Sequence, residues 1–137
     1  QRQMCIRDRM NSTSLNDFGD AIRTYANTGA EDDRDLARVG MSMEFFTAYT
    51  DGYLSQHARE LSEAERAYLA FSARYITYEQ VLRFLMDYLD GDTYYKIRSA
   101  DHNLVRTRAQ YRLLRSMEEQ YGAMCEAVRE LNAKYIR

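Results

Sequence analysis

An all-α fold of four to six helices is what this sequence predicts, and three observations predict it. The 137 residues include no proline and only six glycines, so the residues that most often end a helix are scarce. Apolar side chains recur at steps of three and four over most of the length, the spacing that places them on one helical face. No alternating pattern of strand length competes, and no segment repeats at a fixed period.

The elements follow in order. Leu15, Phe18, Ile22 and Tyr25 predict a short first helix that Asn27 to Gly29 can end. The acidic run Glu31 to Asp35 leads into Leu36 and Val39, where acids suit the positive end of a helix dipole and need no ligand. Met43, Phe46, Thr50, Tyr53 and Leu54 trace the next face. Ser62 with Glu65 forms a capping box, so a further helix starts near Glu63. Its apolar stripe reads Ala64, Ala67, Tyr68, Phe71 and Tyr75, then Val81, Leu82, Leu85, Tyr88 and Leu89. Thr77 with Gln80 offers a second capping box, which leaves open one long helix or two with a bend. Gly91, among Asp90, Asp92 and Thr93, should stop it. Asp101 or Asn103 can cap the last helix, a long amphipathic one carrying Leu104, Tyr111, Leu114, Met117, Tyr121, Met124, Val128 and Leu131.

Composition narrows the function classes. With 45% hydrophobic and 29% charged residues the chain is globular in type, and its net charge of −2 is too small to draw it to nucleic acid or an anionic membrane. Cys5 and Cys125 have no histidines at metal spacing, so both are read as free thiols. No apolar run approaches the roughly 20 residues of a membrane span and the start has no signal-peptide pattern, so a cytoplasmic location is expected. Residues 1–9 fit no periodic pattern and are read as the translated remnant of a sequencing adapter, ahead of one helical domain at 10–137. Those remaining residues hold 16 Lys and Arg against 20 Asp and Glu.

Polar side chains with chemical potential gather between Arg83 and Asn103. A guanidinium fork at Arg83 and a phenol at Tyr94 suit a ligand rich in hydroxyls. On residue types alone the preferred account pairs Arg83 with Asp87 one turn on, although that pair is worth about 0.3–0.5 kcal/mol at best and runs in the less favourable order. Asp87, Asp90 and Asp92 suggest a magnesium cluster, yet Lys96 and Arg98 are close enough in sequence to neutralise them, and ion pairing is preferred. His102 is a secondary candidate for a pocket or for the helix start, and Asp87 is another; His57 has no catalytic partner. Asp17-Phe18-Gly19 matches a kinase metal triplet, but three residues are a weak signal, and from the residues alone Asp17 is read as capping the first helix. Arg106, Arg108, Arg112 and Arg115, with Lys96 and Arg98 and interleaved tyrosines, have the look of a nucleic-acid stripe. Because Arg108, Arg112 and Arg115 share one outward face, a solvated helix surface is preferred. No phosphate loop, nucleophile arrangement or metal spacing is found.

Two blocks carry a family resemblance. Arg83 through Ile97, followed by Asp101-His102-Asn103-Leu104, resembles the C-terminal part of the N-acetylhexosamine 1-kinases, members of the aminoglycoside phosphotransferase family. Asp17-Phe18-Gly19-Asp20-Ala21-Ile22-Arg23, then Ala26-Asn27-Thr28 and Glu31-Asp32-Asp33, is similar to the segment that follows the metal site in those enzymes. The resemblance covers most of residues 15–131 and implies the helical, substrate-side part of a protein-kinase-like fold. It implies that Arg83 and Tyr94 contact the hexosamine and that Asp17 braces a catalytic loop. The ATP-binding lobe and the His-Gly-Asp loop have no counterpart in residues 1–137, so ATP and Mg²⁺ are expected to belong to a larger parent enzyme and this chain alone to be inactive. A helical interaction module using the seam at 104–131 is the alternative.

Overall fold

A computed structural model describes the backbone of residues 2–136 and the side chains of residues 14–136. The described residues form six α-helices and no strand: α1 (Arg2–Tyr25), α2 (Met43–His57), α3 (Glu63–Ala67), α4 (Leu69–Leu89), α5 (His102–Glu119) and α6 (Tyr121–Tyr135), with one 3-10 turn at Leu36–Arg38. The all-α expectation is met. The adapter reading of residues 1–9 and the thiol of Cys5 lie outside the described side chains.

Helix α1 is longer than the short helix expected, so Asp17 sits in its interior, exposed, and caps nothing. Phe18 and Ile22 are fully buried, and the Phe18 ring meets Phe46 edge-on at 6.3 Å and Tyr53 at 5.1 Å. Gly19 faces α4: a Cβ there would lie 2.6 Å from the Ser72 carbonyl oxygen, so only glycine permits this approach of α1 to α4.

The segment between α1 and α2 is a loop in which the helix start expected after the acidic run is only the 3-10 turn at Leu36–Arg38, and the acids do separate local work. Glu31 pairs with Arg23 at 2.8 Å, and Asp33 accepts from the Asp35 amide. Asp35 accepts from the Ala37 amide to cap the 3-10 turn. The loop is fastened to α5 where Ser116 Oγ accepts from the Met41 amide and Gln120 Nε2 donates to the Met41 carbonyl, both at 2.9 Å.

Ser42 caps α2, and the expected capping box of Ser62 and Glu65 is present at α3. The Thr77–Gln80 box is not formed. Thr77 is buried inside α4, its hydroxyl donating to the Ala73 carbonyl, so α4 is one continuous helix. The stripe assigned to α4 is also corrected: Leu69, Ala70, Ala73, Val81 and Phe84 face the core, whereas Tyr68, Phe71, Tyr75, Leu82 and Leu89 are exposed. Gly91 at φ +94° and Asp92 at φ +61° turn the chain after α4.

The long last helix is broken at Gln120, whose side-chain amide also donates to Ser116 Oγ at 3.1 Å. Neither Asp101 nor Asn103 caps α5 with its side chain. Leu114, Met117, Met124 and Val128 are buried as expected, so that seam is core and is not free for a partner; Tyr111 is exposed. Helix α4 lies between α1 and α5, and α2 and α6 pack together against that group.

Candidate functional site

The last two turns of α4, the turn at 90–95 and the start of α5 meet at one end of the molecule. Arg83, Met86, Asp87, Asp90, Thr93, Tyr94 and Tyr95 line an open groove of about 470 Å³ there, within the size range of small-molecule sites. Arg83 and Tyr94, distant enough in sequence to need the fold to bring them together, are on the same groove.

Each reaches the groove for a local reason. Arg83 lies on the outer side of α4 and pairs with Glu79, not with Asp87: Nη2 is 2.5 Å from Oε1. Here the acid precedes the cation by one turn, the favourable order, and the exposed pair is worth about 0.3–0.5 kcal/mol. That is weak enough for a ligand to take the guanidinium. Tyr94 is 80% exposed and its ring stands edge-on to Tyr95 at 4.8 Å. Tyr95 packs on Phe84 at 4.9 Å and its hydroxyl accepts from Gln80 Nε2 at 3.2 Å, so the inner tyrosine supports the outer one.

Asp87 is the pivot. It is 6% exposed, and its two oxygens accept from the Tyr94 amide at 2.8 Å, the Tyr95 amide at 3.0 Å and Asn103 Nδ2 at 2.7 Å. Burial pushes its carboxyl up, but the Tyr95 and Tyr94 amides and Asn103 outweigh that and hold it below the usual carboxylate range. Asn103 also donates to Asp92 at 2.9 Å and accepts from Arg106 at 2.9 Å, while the Arg106 guanidinium lies 5.4 Å from the Phe84 ring centre. Backbone amides and Asn103, in place of the expected ion pairs with Lys96 and Arg98, are the groups that hold Asp87 and Asp92. Asp87 accepts three N–H bonds and Asp92 one, all from neutral donors, and no three His, Cys, Asp or Glu groups among the described residues are placed to share a metal ion.

His102 is 6% exposed at the first position of α5. The Arg98 amide donates to its Nδ1 at 3.1 Å, which leaves the ring proton on Nε2, and Nε2 donates to Asp32 Oδ2 at 2.9 Å. That bond lowers the Asp32 carboxyl from its ordinary range. Arg34 reinforces the same junction through two bonds to Asp101, at 3.0 and 3.1 Å. His102 thus clasps the acidic loop to the start of α5. It does not line the groove of Arg83 and Tyr94.

Asp17 is remote from this groove, and the structure does not bring it to Arg83 or Tyr94. Arg108 and Arg115 are exposed on α5, whereas Arg106 is engaged with Asn103 and Phe84, so the basic stripe is not continuous. Sequence reasoning left Asn103 as a cap and missed Tyr95, Gln80 and Arg106 as supports. The available signal was the polar run Asn103, Thr107 and Gln110 at helical spacing, all of it buried. Among the described residues no helix is long and apolar enough to cross a membrane. No protein-family model matches the chain.

Proposed function

We propose that this chain is the sugar-binding helical part of an ATP-dependent phosphotransferase that acts on an N-acetylhexosamine at its anomeric hydroxyl. The observation that supports the reading is the convergence of Arg83 and Tyr94 on one groove, held by an Asp87 and Asn103 network that fixes the turn at 90–95. A guanidinium offers a planar fork of donors and a phenol both donates and accepts, a combination suited to sugar hydroxyls and an acetamido oxygen. Arg83 and Tyr94 would position the sugar, and positioning is a large share of phosphoryl-transfer catalysis. ATP and magnesium supply the phosphoryl group and its charge neutralisation in the parent enzyme, through residues other than the Asp87 turn. The reading also expects no turnover by this chain with ATP and a hexosamine.

The test is a titration of the isotopically labelled chain with N-acetylglucosamine and N-acetylgalactosamine, followed by amide chemical shifts. Saturable shifts at Thr93, Tyr94 and Tyr95, lost in Arg83→Ala and absent with mannitol, are expected. Shifts that stay unchanged with both sugars would remove the reading. A second reading, a helical interaction module without catalysis, draws on the uncovered aromatic face of α4.

A further inference from the structure

Helix α4 carries two apolar faces on opposite sides. One is the core face of Leu69, Ala73, Val81 and Phe84. The other is Tyr68, Phe71, Tyr75, Tyr78 and Leu82, between 38% and 56% exposed. A helix that is apolar on both sides is ordinarily an interior helix, so the second face is built to be covered. Its residues follow steps of three, four, three and four, a mean of 3.5, which is the seam another helix fills.

The surroundings suit that occupant. The Phe71 and Tyr75 ridge has a groove of about 330 Å³ on its α5 side, reaching Tyr111 and Leu114, and one of about 280 Å³ on its α1 side, reaching Leu15 and Asn16. At roughly 200 Å² for each large side chain, the exposed parts of the seam and Tyr111 sum to roughly 570 Å², near the upper end of the largest apolar patch on a monomer. With the polar rim added, that approaches the roughly 800 Å² per partner of a stable complex.

Charge selects the partner. Taking Tyr68, Tyr75 and Leu82 as the first seam positions and Phe71 and Tyr78 as the second, Arg74 and Glu79 flank the seam on its two sides, five residues apart. In a parallel, in-register pair of identical helices this is the spacing at which flanking charges meet across the seam. Arg74 of each copy would meet Glu79 of the other, twice by symmetry. An antiparallel pair sets flanks of the same kind against each other and loses both contacts. In the single chain the partly buried Arg74 lies over the Tyr121 ring at 4.3 Å and the Phe71 ring at 5.5 Å, and Glu79 pairs with Arg83, so docking exchanges these contacts for the pairs across the seam.

We propose that the outer face of α4 is a dimer interface, in which a second copy of this chain docks its own α4 parallel and in register. The inference goes beyond the sugar-binding reading and uses other residues, touching the Arg83 and Tyr94 groove only where docking draws Glu79 away from Arg83.

Light scattering and sedimentation equilibrium on the full chain test it. The mass is expected to rise with concentration from 16.2 kDa to a plateau at twice that value. Tyr75→Glu with Tyr78→Glu should abolish the plateau while leaving the circular dichroism of the folded chain unchanged, because both side chains are half exposed. Arg74→Glu and Glu79→Arg should each weaken dimerisation about tenfold, and the two together should restore it. A single-chain mass at every concentration, growth without a dimer plateau, or a dimer indifferent to the tyrosine changes would overturn the interface. Failure of the double charge reversal to restore the weakened dimer would overturn the parallel register.

Discussion

Asp87 shows how a single carboxylate on the wall of a groove can define its shape through hydrogen bonds to the chain itself. The turn after α4 uses two consecutive positive-φ residues, Gly91 and Asp92, the second paying a steric cost that glycine avoids. Two adjacent amides and Asn103 on one buried carboxylate hold that turn closed and set Tyr94 on Tyr95. Replacing Asp87 by Asn keeps the shape but exchanges a charged acceptor for an amide that offers one acceptor oxygen and an NH₂ facing a donor. Asp87→Asn is therefore expected to speed hydrogen exchange at the Tyr94 and Tyr95 amides by tenfold or more, roughly the effect of losing one charge-assisted bond. Equal exchange rates in the two proteins would show that Phe84 packing alone holds the turn. At His102, the donated Arg98 amide predicts the tautomer in which Nδ1 accepts and Nε2 carries the proton, a pattern that nitrogen chemical shifts distinguish. The opposite pattern would contradict the clasp.

Elements were legible where one residue type had one physical use. Ser62 with Glu65 could only start a helix, and the Phe46, Thr50 and Leu54 face of α2 had one apolar side. Helix α4 was misread because both of its sides are apolar, and periodicity then carries no information about which side the rest of the protein covers. Helix α5 hid its core for the opposite reason. Asn103, Thr107, Gln110 and Ser116 are polar yet buried, and the Thr107 hydroxyl is satisfied by the Asn103 carbonyl within its own helix. The groove was legible as Arg83 and Tyr94, whereas its supports depended on tertiary contacts 15 to 16 residues apart, such as Gln80 to Tyr95 and Asp87 to Asn103. Gly19 makes an element-level prediction with two opposed magnitudes. Alanine in a helix interior gains about 1 kcal/mol over glycine, but its Cβ would sit 2.6 Å from backbone of α4 that no rotamer change can move aside. Overpacking costs about 1–3 kcal/mol, so Gly19→Ala is expected to destabilise the chain by up to about 2 kcal/mol in urea unfolding. A more stable variant would mean that α1 and α4 separate freely.

At the scale of the whole molecule, the ionisable groups set a window of pH in which the fold is most stable. Asp32 is held down by His102, Asp51 by Tyr135 and Lys134, Asp101 by Arg34 and Ser99, and Asp87 by its amides against the effect of burial. A carboxyl lowered on folding adds stability that is fully present above its unfolded value, near pH 4, and is lost as the pH falls through the folded value. Burial raises Tyr49 and Tyr53, whose contribution is present below the unfolded value near pH 10 and is lost as the pH rises through the folded one. The melting temperature should therefore be flat from about pH 5 to about pH 9 and fall on both sides. Salt divides the acid limb. Arg34 with Asp101 and Lys134 with Asp51 are exposed pairs, screened when the Debye length drops to about 3 Å at 1 M salt. Asp87 is bound by amides out of solvent, where screening is weak. High salt should thus shrink the fall below pH 4 without removing it, and Asp87→Asn should shrink what remains further, leaving the part that Asp32 carries through its bond to His102. A fall that salt abolishes in the unaltered chain would show that the exposed pairs carry all of the acid sensitivity and that the Asp87 knot contributes nothing to the fold.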